Sequence, residues 1–161
     1  MKNLLIIPLI CLLALSACKD EKRYIYEVEE QEIYQSANEK QNLKTTTQFI
    51  SIAYNDLFGS NITTQQLQQF DVALQSFGDK NIIQEMIVKN LLNRGGTQIP
   101  SDNAMRGDLP AFVEQTYLRI YNRKPNEFEA WKLKDMIEKN ADITAKLVYY
   151  SLMTSEEYKY Y

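Results

Sequence analysis

Histidine is absent from all 161 residues. That excludes Ser-His-Asp and Cys-His nucleophile pairs and the usual His-bearing zinc sites. Chemistry is left to carboxylates, tyrosines and two cysteines. Glu127 with Glu129, and Glu156 with Glu157, are the candidate acid pairs. Carboxylates one or two residues apart on a helix do not face each other. General acid/base work needs two carboxyls converging in a cleft, so both pairs read as solvated surface. Asp102, Asn103 and Asp108 carry oxygens that suit calcium, but the D-x-D-x-D-G spacing is missing and no metal site is expected. Arg106-Gly107-Asp108 spells a tripeptide that host receptors read. Asp108 makes more sense as the N-cap before Leu109-Pro110. In Arg123-Lys124-Pro125-Asn126 the proline is expected to start a helix and the arginine to pair with a carboxylate or a helix end. No catalytic residue is assigned, and the chain is not expected to be an enzyme.

One side chain does have a chemistry written into its surroundings. Met1-Lys2-Asn3 is a short basic start, and Leu4 to Leu15 is an uncharged apolar run broken only by Pro8. Ser16 and Ala17 follow, and then Cys18. This order describes a secretory signal with a small-residue cleavage site. The run is shorter than the ~20 residues that span a bilayer. Leu15-Ser16-Ala17-Cys18 resembles the lipobox of bacterial lipoproteins. The resemblance implies removal of residues 1–17, diacylation of the Cys18 thiol and often acylation of the new amino group. Two or more acyl chains anchor stably where one does not, at about 0.8 kcal/mol per buried CH₂. The covalent lipid on Cys18 is the only attached group expected, with no cofactor. Lys19-Asp20-Glu21 resembles the export signal of surface lipoproteins in Bacteroidota, which implies the outer leaflet of the outer membrane. The periplasmic face is the alternative.

Removing residues 1–17 leaves 144 residues and takes the net charge from −3 to −4, since Lys2 is the only charge lost. No basic stripe stands out, so nucleic acid is not an expected partner. Cys11 leaves with the signal and Cys18 is committed to lipid, so the domain must rely on its core rather than on disulfides. Residues 18–44 read as a flexible tether of charged and amide side chains. Within it Tyr24, Tyr26 and Val28 share one face at period two. They read as a tether piece lying on its own domain or on lipid headgroups. Addition to the edge of a partner's sheet is the alternative.

From Thr45 the apolar spacing becomes helical, and the expected fold is all-α, about six helices over residues 45–161. Their apolar faces carry Phe49, Ile52, Ala53, Leu57 and Phe58; Leu67, Phe70, Leu74 and Phe77; and Ile82, Ile83, Met86, Ile87 and Leu91. Then come Phe112, Val113, Thr116, Tyr117, Ile120 and Tyr121; Phe128, Trp131, Met136 and Ile137; and Ile143, Leu147, Tyr150 and Leu152. Residues 95–108 hold glycines, Pro100, Ser101, Asp102 and Asn103, and read as a loop.

That loop divides two matching units, 45–94 and 109–161. At an offset of 63, Phe49 falls on Phe112, Ile50 on Val113, Tyr54 on Tyr117, Phe58 on Tyr121, Leu67 on Ala130, Phe70 on Leu133 and Leu74 on Ile137. At an offset of 61, Ile82 falls on Ile143, Met86 on Leu147, Ile87 on Val148 and Leu91 on Leu152. Each unit then reads as three helices that need the other for burial. Amphipathic patterning alone is the competing explanation of the match. The second unit resembles a helical domain of bacterial extracellular proteins that is similar to the phycobilisome linker domain. Phe112-Val113, Tyr117, Tyr121-Asn122-Arg123-Lys124-Pro125, Trp131 and Ser155-Glu156-Glu157-Tyr158 carry the likeness, over residues 112–158. The family's glycine before the tryptophan is replaced by Glu129-Ala130, and the first unit has Ser60-Asn61-Ile62 where the arginine and proline would stand. The resemblance implies assembly or adhesion rather than catalysis.

The expected role is a non-catalytic helical interaction module held on the outer membrane. Its expected partner is an outer-membrane protein complex for barrel assembly, secretion or uptake. A surface lipoprotein that binds glycan or peptide is the alternative. Tyr158, Tyr160 and Tyr161 are the expected partner surface in the domain, with Tyr24 and Tyr26 in the tether, because tyrosine suits both protein and sugar contacts.

Overall fold

The structure, a computed structural model, describes residues 42–160, all within one compact unit. Cys18, Lys19, Asp20, Glu21, Tyr24, Tyr26 and Tyr161 lie outside the described residues. Among the described residues the fold is all-α. Seven helices run in order: α1 Thr46–Phe58, α2 Thr64–Ser76, α3 Lys80–Leu92, α4 Asp102–Gly107, α5 Leu109–Tyr121, α6 Glu127–Lys139 and α7 Ala145–Met153. A 3₁₀ turn, Glu157–Lys159, closes the chain.

Helix starts follow from short polar side chains. Thr45, Thr63 and Asn126 each form a capping box, with Gln48, Gln66 and Glu129 reaching back to the cap. Asp108 caps α5 as expected. The repeat shows at the level of bounds and caps. At the offset of 63, α1 falls on α5 and α2 on α6, each 13 residues long. Gly59 ends α1 at φ 64 and Asn122 ends α5 at φ 55, both left-handed. Amphipathic patterning alone does not demand matching left-handed stops. The third helices differ, since α7 has 9 residues to the 13 of α3.

In the first unit α1, α2 and α3 pack on one another. In the second α5 packs against α6 and α7, and α3 against α7 joins the two units. One continuous core results, with Ile50, Ala53, Leu57, Val88 and Leu91 from the first unit and Val113, Ile137 and Met153 from the second all fully buried.

Three expectations need correction. Residues 95–108 are not all loop, because Asp102–Gly107 form α4. Ser101 caps it, Met105 is fully buried, and Arg106 donates to the carbonyls of Ile137, Asn140, Ala141 and Ile143. Asp102 accepts from the Ala145 N–H at 2.7 Å. The short helix therefore pins the turn between α6 and α7 through Arg106 of the tripeptide and Asp102 of the candidate calcium oxygens. Second, the tether boundary at residue 44 is too late. Leu43 forms an isolated antiparallel bridge with Tyr160, and the Lys44 N–H donates to the Lys159 carbonyl at 2.8 Å. Third, Phe77, Ile82, Met86, Phe128, Trp131, Met136 and Leu147 are exposed rather than core. Neighbours along a helix point about 100° apart, so Ile83 and Ile87 face inward while Ile82 and Met86 face out. The core stripe of α6 is Ala130, Leu133 and Ile137, which leaves Phe128 and Trp131 on the other side.

The two left-handed stops carry different loads. A Cβ on Gly59 would stand 2.5 Å from the Gln98 amide, in a conformation that L-residues rarely adopt. Gly59→Ala should lower stability by about 1–2 kcal/mol in urea unfolding, whereas Asn122→Gly should be within about 0.5 kcal/mol of neutral.

Candidate functional site

Tyr117, Tyr121, Arg123, Glu129 and Glu157 meet at one place. Asn122 turns the chain out of α5 and puts Arg123 over the faces of Tyr117 and Tyr121, 5.4 and 5.5 Å from the ring centres. Its Nε and Nη2 donate to the two Glu157 oxygens at 2.7 Å each. Its Nη1 and Nη2 donate to the two Glu129 oxygens at 2.8 and 2.7 Å. Nη1 also donates to the Lys124 carbonyl at 3.1 Å. A guanidinium has five N–H bonds, and this set uses all of them. Glu129 is at the same time the third residue of the α6 capping box, accepting from the Asn126 N–H at 2.8 Å. Pro125 therefore stands just before the cap, not inside the helix as the sequence suggests.

The other motif residues complete the knot. The Tyr121 hydroxyl lies 2.8 Å from Ser155 Oγ and donates to the Leu152 carbonyl at 3.1 Å. Tyr158 is fully buried, and its hydroxyl donates to Asp56 of α1 at 2.7 Å. The Lys44 ammonium lies 3.8 Å from the centre of the Tyr158 ring and donates to its carbonyl. Tyr158 is thus removed from the expected partner surface: its ring fills the core beside Phe49. Tyr160 is only half-buried and pairs with Leu43.

Charge at the knot is held in place. The Arg123 guanidinium keeps the Glu129 carboxyl below the usual carboxylate range, and Glu129 and then Glu157 hold the guanidinium protonated. Burial, helped by Glu129, pushes the Tyr117 phenol up to about 12. Burial also raises Tyr121, and burial with Asp56 alongside raises Tyr158. Two carboxylates do converge here, but on the same cation, so neither is placed to pass a proton. Glu127 and Glu156, the other halves of the candidate pairs, stand on the surface. No group of three metal-binding side chains occurs among the described residues.

Surfaces able to meet a partner lie elsewhere. Ile82 and Met86 on α3 and Leu147 on α7, two helices that pack together, are each about half exposed. A cleft of about 340 Å³ there is lined by Lys89, Leu92, Asn93, Lys146, Leu147 and Tyr150. Met86 and Leu147 are equivalent positions at the offset of 61. A second cleft, of about 430 Å³, has Gln98, Gln115, Thr116, Arg119 and Tyr149 among its walls. On α6 the rings of Phe128 and Trp131 stand 5.9 Å apart, 67% and 55% exposed. Leu43 is 62% exposed where the chain enters the domain. Sequence periodicity counts Ile82, Met86, Leu147, Phe128 and Trp131 as core and so misses them as surface.

Arg123→Ala should cost about 2 kcal/mol, because it strands two partly buried carboxylates, and Arg123→Lys should recover less than half of that for want of the planar fork. The folded-state lowering of Glu129 stabilises fully above the unfolded carboxyl value of about 4.3 and is lost as pH falls through the lower folded value. The gap in melting temperature between wild type and Arg123→Ala should therefore narrow in acid.

Comparison with known proteins returns no match: no family model, no curated protein and no solved structure aligns with this chain.

Proposed function

We propose that the chain is a lipid-anchored, non-catalytic interaction module of the outer membrane, surface-exposed, serving as an accessory subunit of an outer-membrane protein complex. The observation that carries the reading is the α3–α7 seam. Leu147 stands half exposed in a cleft lined also by Lys89 and Lys146, and Ile82 and Met86 of α3 are exposed as well, while the polar motifs are engaged in holding the fold. Apolar side chains rimmed by charge suit a protein interface. The Cys18 context supports the anchor, and Lys19-Asp20-Glu21 supports the outer face. No helix among the described residues is long and apolar enough to cross a membrane. Attachment through Cys18 accounts for membrane residence without one.

The cleft of Gln98, Gln115, Arg119 and Tyr149 supports a second reading, the binding of a glycan or peptide. Amide, guanidinium and phenol groups around an apolar floor suit a neutral ligand rich in hydroxyl or amide groups.

The two readings part experimentally. A photo-crosslinking residue at position 147 should capture an integral membrane protein in intact membranes, and Met86→Lys should reduce that capture at least tenfold. Unchanged capture, or none, rejects the seam. Loss of glycan retention in Gln115→Ala with the crosslink absent would favour the second reading. Cys18→Ala should release the chain from membranes, and replacing Lys19, Asp20 and Glu21 by alanine should abolish its protease shaving on intact cells.

A further inference from the structure

The cleft of about 340 Å³ between the end of α3 and the start of α7 is walled by Lys89, Leu92, Asn93, Lys146, Leu147 and Tyr150. Its two lysines have no counter-ion. Lys124, Lys139 and Lys159 each pair with a carboxylate, whereas Lys89 and Lys146 form no ion pair among the described residues. Glu85 and Asp142, the nearest acids along the chain, are exposed and do not pair with them. Lys146 stands in the first turn of α7, which holds no acidic residue, and the helix dipole disfavours a cation there. The chain carries a net charge of −3, so this cationic spot runs against its average. The Asn93 side-chain amide and the Tyr150 hydroxyl also have no hydrogen-bond partner among the described residues. Leu92 is buried and Leu147 half exposed, which makes the lining partly apolar.

We infer that this cleft takes a segment of a protein partner that presents a carboxylate beside an apolar side chain. This rests on the interaction-module reading above and names the chemistry of the partner. Unpaired cations attract an anion and repel a basic surface, so charge selects the sign. Leu147 selects an apolar neighbour for that anion, because its exposed half leaves water only when another apolar group covers it. Asn93 separates a peptide from a phosphate. Its amide holds a donor and an acceptor side by side, which fits the C=O and N–H of a peptide, whereas phosphate oxygens are acceptors. The Tyr150 hydroxyl, both donor and acceptor, serves either peptide group. A cleft of this volume holds a few side chains and not a folded face, so the match is a short segment.

The probe is a short acetylated peptide that alternates leucine and glutamate, titrated into the isotope-labelled full chain and followed by NMR. Amide signals of Lys89, Asn93, Lys146 and Tyr150 should shift and saturate, and added salt should weaken the binding. The same peptide with glutamine for glutamate should bind about tenfold more weakly. Lys89→Glu combined with Lys146→Glu should abolish the shifts while leaving the circular dichroism spectrum unchanged, since both side chains are exposed. Lys89→Arg combined with Lys146→Arg should keep them. Equal binding of the two peptides, or no shift at the cleft, overturns the inference. Shifts as large with inorganic phosphate as with the glutamate peptide assign a simple anion site and overturn it too. In membranes, the photo-crosslinking residue at position 147 separates this chemistry from the interface reading. Capture that survives the double glutamate variant but is lost in Met86→Lys leaves the interface standing and overturns the acidic partner. Binding of the glutamate peptide at the cleft with no capture in membranes supports the carboxylate chemistry and rejects contact with a membrane protein.

Discussion

The fork of Arg123 decides how the end of this chain is held. Apolar packing alone leaves a short C-terminal segment free to slide, because hydrophobic contact has no direction. Two carboxylates chelated by one planar cation fix both position and angle. Glu129 belongs to the start of α6 and Glu157 to the last turn, so Arg123 joins two elements that do not follow one another in sequence. Partly buried ion pairs of this kind add modestly to stability, since desolvation offsets much of the attraction. What the knot contributes is a unique register, in which Tyr158 reaches Asp56 and Lys159 reaches Lys44.

The same constraint accounts for the asymmetry between the units. The first unit has no arginine at the matching turn, and Thr63 with Gln66 forms a neutral capping box where Asn126 and Glu129 form a charged one. Its turn is closed instead from outside. The Gln98 N–H donates to the Leu57 carbonyl at 2.7 Å, and Arg119 of α5 donates to the Gln98 carbonyl at 3.0 Å. The inter-unit segment thus does for α1 what the C-terminal turn does for α5.

Much of this is legible in the sequence where local physics decides. The longer helices, the cap at Asp108 and the structural reading of Arg123 follow from propensity, capping and spacing. Legibility fails where the cause lies far away in sequence. Helix α4 is six residues of Asp, Asn, Ala, Met, Arg and Gly, a composition that reads as loop. It is stable because Met105 enters a core built by other helices and Arg106 finds four carbonyls more than 30 residues on. Tyr158 reads as a tail residue near the end of the chain and is in fact the anchor of that end, because Asp56 waits 102 positions earlier.

Surface assignment fails for a different reason. Periodicity counts apolar residues on a helix but does not say how wide the buried stripe is. On α3 the pairs Ile82-Ile83 and Met86-Ile87 fit two neighbouring stripes, and only packing selects one. On α6 the largest side chains, Phe128 and Trp131, stay exposed while Ala130, Leu133 and Ile137 face the core. Size in the sequence therefore points away from the core here. Large apolar side chains left outside a closed core lower solubility with no return in stability. On the reading proposed above, in which Cys18 carries a lipid, a membrane partner within reach of the domain gives such side chains something to meet.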